Sequence, residues 1–410
     1  MAAEKNNKTL NVPNLRFPEF SEEWERFTLG SIGETFNGLT GKSAVDFGSG
    51  SPYITYKSIF DCSKVDVSKV EYVRITETER AKHAQNEVEY GDIFFTTSSE
   101  TPEEVGMASV LLTPISDCYL NSFCFGYRLF DKQTCLPDFF RFYFRSRNIR
   151  RKIAILAQGS TRFNISKNEV MKMSIFLPLQ NEQRKISKLL TLVEERIETQ
   201  RRIIEDLKKL KRAICDKCFS NGSKVKFSDL GYFIRGLSYS TDEVQEYSKG
   251  TMVLRSNNIE NGEDVNMDEL VWVSKGLEDK QKLQYGDIVI CMANGSSRLV
   301  GKASYFPKEH IYDATVGAFC GILRPLSPVA KWLVQTKTYR KYIHQAIQGG
   351  NGAIANIYPQ DILNMTFCIP DNWNSVTDAL ELLHERIITE SKILKAQLSM
   401  RQHLLFQIFI

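Results

Sequence analysis

Three features of this 410-residue sequence have residue types that serve catalysis or metal binding in other proteins. "FNGLTGKS" ends in Gly-Lys-Ser, as a phosphate-binding loop does, but Phe36 stands where that loop requires its first glycine. Cys215 and Cys218 form a Cys-x-x-Cys pair without a second such pair or a histidine pair at zinc-ligand spacing. The five histidines show no catalytic or metal-binding spacing either. We therefore predict no catalytic residue and no metal site.

Sequence motifs of enzymes that act on DNA or nucleotides are also missing. No Gly-x-Gly-x-x-Gly follows a predicted strand, and no His-Glu-x-x-His or Gly-x-Ser-x-Gly occurs. The Asn/Asp-Pro-Pro-aromatic motif with which amino-methyltransferases hold a flipped base is absent, as is a nuclease-like Asp…Glu-x-Lys cluster. This pattern favours a binding protein over an enzyme.

The clearest binding signal is "FFRFYFRSRNIRRK" (139–152), with six basic residues, five aromatic residues and no acidic residue. "AKWLVQTKTYRKY" (330–342) has a similar mixture. Basic side chains bind nucleic-acid phosphates regardless of sequence, so two such helices predict two surfaces for one polyanion. The alternative is a solvated helix face with its aromatic residues in the core. The predicted phosphate contacts are Arg141, Arg145, Arg147, Arg150, Arg151, Lys331, Lys337, Arg340 and Lys341.

Loops rich in Gly and polar residues accompany these segments, for example "TSSETPEEVG", "ANGSSRLVG", "QGSTRFN" and "QGGNGAIAN". Small residues allow the backbone to approach a ligand, and an arginine can present two parallel donors to a guanine edge. Ordinary surface turns are the competing interpretation. The remaining predicted DNA contacts are Lys42, Ser98, Ser99, Arg162, Arg255, Ser296, Ser297, Arg298, Lys302 and Asn351.

Repeated motifs indicate that the chain contains two copies of one unit. "YGDI" begins at Tyr90 and again at Tyr285, and Gly38-Leu39 matches Gly236-Leu237. Two further matches follow in the same order, Gln158-Gly159 with Gln348-Gly349 and Asn164-Ile165 with Asn356-Ile357. Nearly constant offsets in a preserved order are what small loop insertions in a repeated fold produce. We therefore predict a duplicated fold with mixed α/β (α+β) globular units.

Each copy is followed by a long segment with the apolar spacing of a coiled coil. The first, which begins "NEQRKISKLL", has no Gly or Pro over about forty residues. Apolar residues in both segments recur every three or four residues and coincide when 190 is added to the earlier numbers. The predicted seam residues are Ile186, Leu190, Val193, Ile197, Ile204, Leu207, Val376, Leu380, Leu383, Ile387 and Leu394.

Polar residues interrupt the seam at Gln200 and Lys211, and Gln200 corresponds to Glu390. A polar residue in a seam lowers stability but fixes the register and the partner. Pairing the two segments with each other buries both apolar stripes, and we predict an antiparallel coiled coil. The alternative is that each helix packs only on its own domain.

The overall composition is that of a globular protein, with 42% hydrophobic and 25% charged residues and a net charge of +4. No apolar run approaches the ~20 residues that cross a bilayer, and the first twenty residues have no apolar core of the kind that a secretory signal needs. Nine cysteines without an export signal predict reduced thiols and a cytoplasmic location. We expect no membrane partner.

The sequence resembles the specificity subunit of type I restriction–modification enzymes. The resemblance rests on "PNLRFPEFSEEW" with "LGSI", on "YGDI" in each half, and on "FLPLQNEQRKI" at the start of the first long segment. The second half departs from it, because "CIPDNWNSVTDAL" lacks the Glu-Gln pair. The resemblance implies target recognition domains at 1–180 and 221–372, and coiled-coil spacer helices at 181–220 and 373–410.

The resemblance also implies a function and a set of partners. Each recognition domain is expected to read one half of a split double-stranded DNA target, and the helices to set the gap between the halves. Two methyltransferase subunits and two motor–nuclease subunits are the expected protein partners. S-adenosylmethionine, ATP and Mg are expected on those subunits, with no cofactor on this chain. A stand-alone methyltransferase and a protein-only coiled-coil scaffold are the alternatives.

Overall fold

The computed structural model describes residues 11–246, 249–308, 313–347 and 354–410, and the chain divides into two compact units. The first unit extends to Thr199 and includes Leu394–Ile410, and the second unit is Gln200–Ile393. Each unit therefore combines a globular α+β region with part of each of the two long helices. The mixed α+β class predicted from the sequence is confirmed.

The first unit contains eleven strands among its described residues. They are β1 (Glu25–Thr28), β2 (Gly33–Asn37), β3 (Phe47–Ile54), β4 (Glu71–Val73), β5 (Ile93–Thr96), β6 (Ser98–Ser99), β7 (Ala108–Val110), β8 (Tyr119–Leu120), β9 (Cys124–Leu129), β10 (Phe163–Asn164) and β11 (Ser174–Leu177). The helices that begin in this unit are α1 (Leu29–Ile32), α2 (Tyr56–Asp61), α3 (Glu77–His83), α4 (Pro137–Tyr143), α5 (Arg147–Ile155), α6 (Lys167–Lys172) and α7 (Gln180–Cys218).

The second unit contains twelve strands among its described residues. They are β12 (Ser223–Lys226), β13 (Gly231–Arg235), β14 (Val244–Gln245), β15 (Thr251–Leu254), β16 (Val271–Val273), β17 (Ile288–Cys291), β18 (Ala293–Asn294), β19 (Ala303–Tyr305), β20 (Ala314–Val316), β21 (Cys320–Pro325), β22 (Ala355–Asn356) and β23 (Thr366–Ile369). The helices that begin here are α8 (Ala330–Leu333), α9 (Lys337–Ala346), α10 (Pro359–Leu363) and α11 (Trp373–Ile408).

The two units share one sheet topology. An antiparallel sheet of order β2-β9-β5-β7 in the first unit corresponds to β13-β21-β17-β19 in the second. Beside it, β3 pairs antiparallel with β4 and parallel with β8, as β15 does with β16 and β20. The pairs β1-β11 and β6-β10 correspond to β12-β23 and β18-β22. The duplication predicted from the repeated motifs is confirmed.

The repeated YGDI sequence has a structural cause. Its glycine adopts a left-handed conformation, with φ of 89° at Gly91 and 84° at Gly286, which favours glycine in both turns. The aspartate is fully buried and receives two hydrogen bonds from one guanidinium, Arg128 to Asp92 in the first unit and Arg324 to Asp287 in the second. Because a bidentate arginine pair fixes geometry, the motif closes the turn before β5 and β17.

The long helices pack antiparallel within each unit. In the first unit Ile186 and Leu190 of α7 share a core cluster with Leu405 of α11 and Phe409 just after it, and Arg401 of α11 donates to Glu194. The Phe409 ring lies against the rings of Phe139 and Tyr143. The end of α11 thus completes the core of the first unit.

In the second unit the roles of the two helices are exchanged. Cys215 near the end of α7 and Phe219 just after it share a core cluster with Val376 and Leu380 near the start of α11. Gln200 donates to the backbone carbonyl of Glu390 at 3.1 Å and to its carboxylate. Of the predicted seam residues, Leu207, Leu383 and Leu394 are half-buried and the others are buried.

The basic aromatic segment 139–152 forms two helices, α4 and α5, where the sequence analysis treated it as one. The second unit has the same break between α8 and α9. Ser146 and Thr336 precede the second helix in extended conformations, and the Thr336 hydroxyl accepts from the amide of Tyr339. Hydroxyl residues favour such N-cap positions over helix interiors, which accounts for the interruption.

Candidate nucleic-acid interface

In the first unit, β-pairing brings the predicted loop residues Ser98, Ser99 and Arg162 together. Strand β6 pairs with β10, which follows Arg162 directly, and both serine side chains are buried. The amide and hydroxyl of Thr97 donate to the carbonyl of Phe123, which fixes a second turn beside the pair. These elements surround a cavity of about 310 Å³ that Arg162 and Phe123 help to line.

Aromatic rings and carboxylates complete this cavity. Tyr56 and Phe60 of α2 stack with ring centroids 5.9 Å apart, and the Tyr56 hydroxyl donates to the carbonyl of Ser98 at 2.7 Å. Burial raises the pKa of Tyr56, so it remains a neutral donor. The carboxylates of Glu100 and Glu104 also line the cavity. The cavity therefore combines planar apolar faces with hydrogen-bonding groups of both kinds.

In the second unit the equivalent strands pair in the same way, but different side chains hold them. Strand β18 pairs with β22, and the amides of Met292 and Ala293 donate to the carbonyl of Phe319. The Asn294 amide donates to the Ser256 hydroxyl at 3.1 Å, where the first unit uses Tyr56. The predicted residues Ser296, Ser297 and Arg298 follow on an exposed loop.

An exposed phenylalanine marks the same turn in both units. Phe123 is 60% exposed and Phe319 is 61% exposed, although each carbonyl is held by the strand beside it. Exposed aromatic residues next to polar loops are enriched in binding surfaces. Sequence reasoning missed them, although a Phe-Cys pair at both sites is visible in the sequence.

Two of the predicted phosphate contacts are engaged internally. Arg145 donates to four backbone carbonyls, those of Ala108, Ile59, Phe60 and Cys62, and Arg150 donates to three in the segment 103–106. Burial lowers the pKa of each guanidinium to about 10. These contacts favour a role for both arginines in holding the loops rather than in binding phosphate.

Arg141 and Lys331, at equivalent positions, face the long helices. Arg141 bonds to Glu194 of α7 and to Ser63, and Lys331 bonds to Glu381 of α11 at 2.8 Å. Lys331 also lies over the rings of Tyr305 and Trp332. Both side chains therefore attach a helix of the recognition region to a long helix of the same unit.

The other predicted contacts are distributed over the surface of each unit. Lys42 forms an ion pair with Glu79 at 2.7 Å, and Arg340 and Lys337 approach Asp216. Arg147 lies over the ring of Phe406, and Lys302 is half-buried. Asn351 lies outside the described residues. Arg151, Arg162, Arg255, Ser296, Ser297, Arg298, Lys337, Arg340 and Lys341 are exposed and remain predicted DNA contacts.

Within residues 11–246, 249–308, 313–347 and 354–410, no group of three or more His, Cys, Asp or Glu residues is arranged to hold a metal ion. All nine cysteines are free thiols, and burial raises the pKa of Cys118 to about 12 and that of Cys135 to about 11. A buried thiol of raised pKa is a poor nucleophile.

None of the helices that the structure describes has the length and apolar character needed to span a bilayer.

These features define a class of protein with two copies of one α+β unit, each with a polar loop cluster and paired long helices. Residues 21–209 match the family model described as the type I restriction modification DNA specificity domain, so this part of the chain is similar to that family. The chain as a whole resembles the specificity subunits of type I restriction–modification enzymes, as the sequence analysis inferred.

Curated relatives match part of the chain. The specificity subunit of the type I restriction enzyme EcoKI from Escherichia coli (strain K12) is 35% identical over 142 residues, 32% of this chain and 29% of that protein. The putative MjaX specificity subunit from Methanocaldococcus jannaschii is 28% identical over 240 residues, 55% of this chain and 53% of that protein. The matches thus span between under a third and about half of the relatives' length.

Solved structures match nearly the whole chain. The S subunit of a type I restriction–modification system from M. genitalium has a TM-score of 0.58, with 97% of this chain and 99% of that chain covered at 15% identity. A chain of a second type I system has a TM-score of 0.52 and covers 93% of this chain at 15% identity. At this identity the likeness establishes the fold.

Proposed function

We propose that this chain is the non-catalytic DNA-specificity subunit of a type I restriction–modification system. The observation that carries the proposal is that the matched DNA specificity domain lies in one copy of a duplicated fold. Two copies of a DNA-reading domain provide two reading surfaces. Each unit then reads one half of a bipartite target in double-stranded DNA.

Base reading is assigned to the loop cluster of each unit. The exposed side chains Arg162 in the first unit and Ser296, Ser297 and Arg298 in the second lie at the loops that β-pairing holds in place. Exposed basic residues nearby, including Arg151 and Lys341, provide sequence-independent affinity for phosphates. The long helices set the interval between the two half-sites in this proposal.

Catalysis is assigned to partner subunits. Two methyltransferase subunits, with S-adenosylmethionine, and two motor–nuclease subunits, with ATP and Mg, are the proposed partners in a cytoplasmic complex. The free thiols of all nine cysteines are compatible with a reducing compartment.

A mobility-shift titration of the full purified chain with random duplex DNA tests the proposal. We expect binding at low salt that weakens steeply as salt rises, because phosphate contacts release counterions. A protein-only scaffold would leave the duplex unshifted at every salt concentration. Incubation of the chain alone with DNA and S-adenosylmethionine should transfer no methyl group; transfer by the chain alone would identify a stand-alone methyltransferase.

A further inference from the structure

Two loops at equivalent positions carry opposite hydrogen-bonding character. The first unit has "ETPEE" at 100–104 and the second has "GSSRL" at 295–299, both directly after a short β-pair strand. The first loop contains three carboxylates and no base, whereas the second contains one arginine and no acid. The loops have the same length and follow β6 and β18.

The same backbone framework holds both loops. The amides of Gly106 and Gly301 donate to the carbonyls of Thr96 and Cys291, at 3.1 and 2.8 Å. Both glycines have positive φ, 65° and 79°. Within the loops Glu104 and Leu299 donate their amides to the carbonyls of Thr101 and Ser296. The difference between the loops therefore lies in the side chains.

In the first unit the carboxylate of Glu104 is pre-oriented as an acceptor. The hydroxyls of Ser99 and Thr101 both donate to its Oε2, at 3.3 and 3.1 Å. No donor among the described residues reaches its Oε1. Glu104 is exposed and lies at the cavity that Tyr56, Phe60 and Phe123 also line.

In the second unit the corresponding loop carries a hydrogen-bond donor, Arg298, with other basic side chains nearby. Arg298, Lys302 and Arg340 line a cavity of about 580 Å³. Arg298 is exposed, and its guanidinium has five N–H donors in a fixed plane.

These chemistries correspond to different bases. In the major groove a carboxylate accepts from the amino groups of cytosine or adenine, whereas an arginine donates to O6 and N7 of guanine. A carboxylate also repels phosphates, so an acidic loop on a DNA-facing surface is favourable only against a base donor. The two loops are therefore suited to bases with opposite hydrogen-bonding groups.

We propose that loop 100–104 reads an adenine or cytosine amino group in one half-site, and that loop 295–299 reads a guanine in the other. This inference rests on the proposed function, because it assumes that each unit faces DNA. It adds Glu104 as a specificity residue and assigns the two halves of the target opposite polarity at equivalent loops, in which Leu299 corresponds to Glu104 and Arg298 to Glu103.

Exchanging the loops tests the inference. The full chain and two variants, one with GSSRL at 100–104 and one with ETPEE at 295–299, are each incubated with a library of random DNA duplexes, and the bound duplexes are sequenced. We expect each exchange to change the preferred base in one half-site only, to guanine in the first variant and to adenine or cytosine in the second. Thermal unfolding followed by circular dichroism verifies that each variant is folded.

Single substitutions separate base reading from charge. Glu104→Met removes both acceptor oxygens and should reduce the preference for an amino-bearing base by roughly 5- to 150-fold, the range that one good contact provides. Arg298→Lys retains the charge but loses the planar pair of donors, so the guanine preference should fall by a similar factor while the salt dependence is unchanged. Glu195→Met, at an exposed glutamate of α7 in the first unit, is the matched control and should change neither.

The outcomes distinguish the inference from the proposed function. A wild-type chain that selects no preferred duplex contradicts the function and the inference together. A split motif that neither loop exchange alters contradicts the inference alone, as does a motif altered in both halves by one exchange. A motif that responds to Arg298→Ala but not to Arg298→Lys assigns Arg298 to phosphate binding and also overturns the inference.

Discussion

The two units attach their long helices through charged residues at equivalent positions, but with different charges. In the first unit Glu194 of α7 accepts from Arg401 of α11 at 2.8 Å and also from Arg141. By the offset of 190 residues that relates the two helices, Arg401 corresponds to Lys211 in the second unit, and Glu194 corresponds to His384. A carboxylate and an arginine in one unit are thus replaced by an imidazole and a lysine in the other.

In the second unit, the carboxylates that face these two side chains come from the globular region. Lys211, 1% exposed, donates to the carbonyl of Gly262 at 2.7 Å and lies 3.2 Å from both carboxylate oxygens of Glu263. His384 lies 2.9 Å from a carboxylate oxygen of Asp264. The acid has moved from the helix to the segment between β15 and β16. A duplicated scaffold can therefore keep the place of a charged contact while changing the element that supplies the counter-charge.

Substitutions of the buried leucines in the long helices should cause the largest losses of stability, and the losses should be similar in the two units. Leu190 and Leu380 occupy equivalent positions in α7 and α11, and both are buried in the core of their unit. Replacing either with alanine leaves a cavity, and we expect each change to reduce the free energy of unfolding of its unit by about 3 kcal/mol. Hydrogen exchange on peptides from each unit measures the loss locally. Unequal losses would show that the two helix pairs are not equivalent.

Removing the carboxylate of Glu263 in the second unit should reduce the free energy of unfolding by about as much as the leucine cavity, or by slightly less. Glu263→Ala leaves Lys211 buried without its carboxylate, and breaking a buried pair costs about 3 kcal/mol. Denaturant unfolding measures the loss. The double variant Lys211→Met, Glu263→Ala removes both charges and should recover most of the stability; no recovery would contradict the assignment of the effect to the unpaired lysine.

Removing the carboxylate of Glu194 in the first unit should reduce the free energy of unfolding by less. Arg401 keeps access to solvent, and Arg141 retains Ser63 and Asp138 as partners after Glu194→Ala. We expect a loss of about 1 kcal/mol, as partly exposed ion pairs typically contribute. A loss from Glu194→Ala that equals that of Glu263→Ala would remove the distinction between the units.

The buried lysine should also produce a pH dependence specific to the second unit. Desolvation by burial lowers the pKa of Lys211 below its ordinary value of 10.5, although Glu263 raises it in part. The unfolded chain then binds the proton more tightly, so stability increases as pH rises from the lowered pKa towards 10.5. Unfolding of the wild type and Lys211→Met at pH 7 and pH 10 tests this, and a stability difference that does not change with pH would contradict it.

The long helices and the duplication were predictable because both rest on local or repeated sequence signals. The apolar spacing identified the seam, and the same period marked Gln200 and Lys211 as polar interruptions. The partners of Lys211 were not predictable, because Gly262 and Glu263 lie about fifty residues away in an irregular segment. Periodicity identifies a face of a helix but not what a distant loop places against it.

The candidate interface was less predictable than the fold. The basic composition of 139–152 did not distinguish Arg151, which is exposed, from Arg145 and Arg150, whose guanidinium groups bind backbone carbonyls. Charge alone does not reveal which basic side chains a protein uses internally. The repeated YGDI motif was recognised, but the buried ion pairs of Asp92 and Asp287 depend on arginines more than thirty residues away.

Chemical footprinting of the full chain on a duplex recovered by sequence selection tests the central claim most directly. Two readers in one chain predict two protected segments separated by an unprotected interval, and a variant with an altered loop in one unit should weaken protection of one segment only. A single continuous protected segment, or a duplex protected equally whatever its sequence, would contradict the assignment of one half-site to each unit.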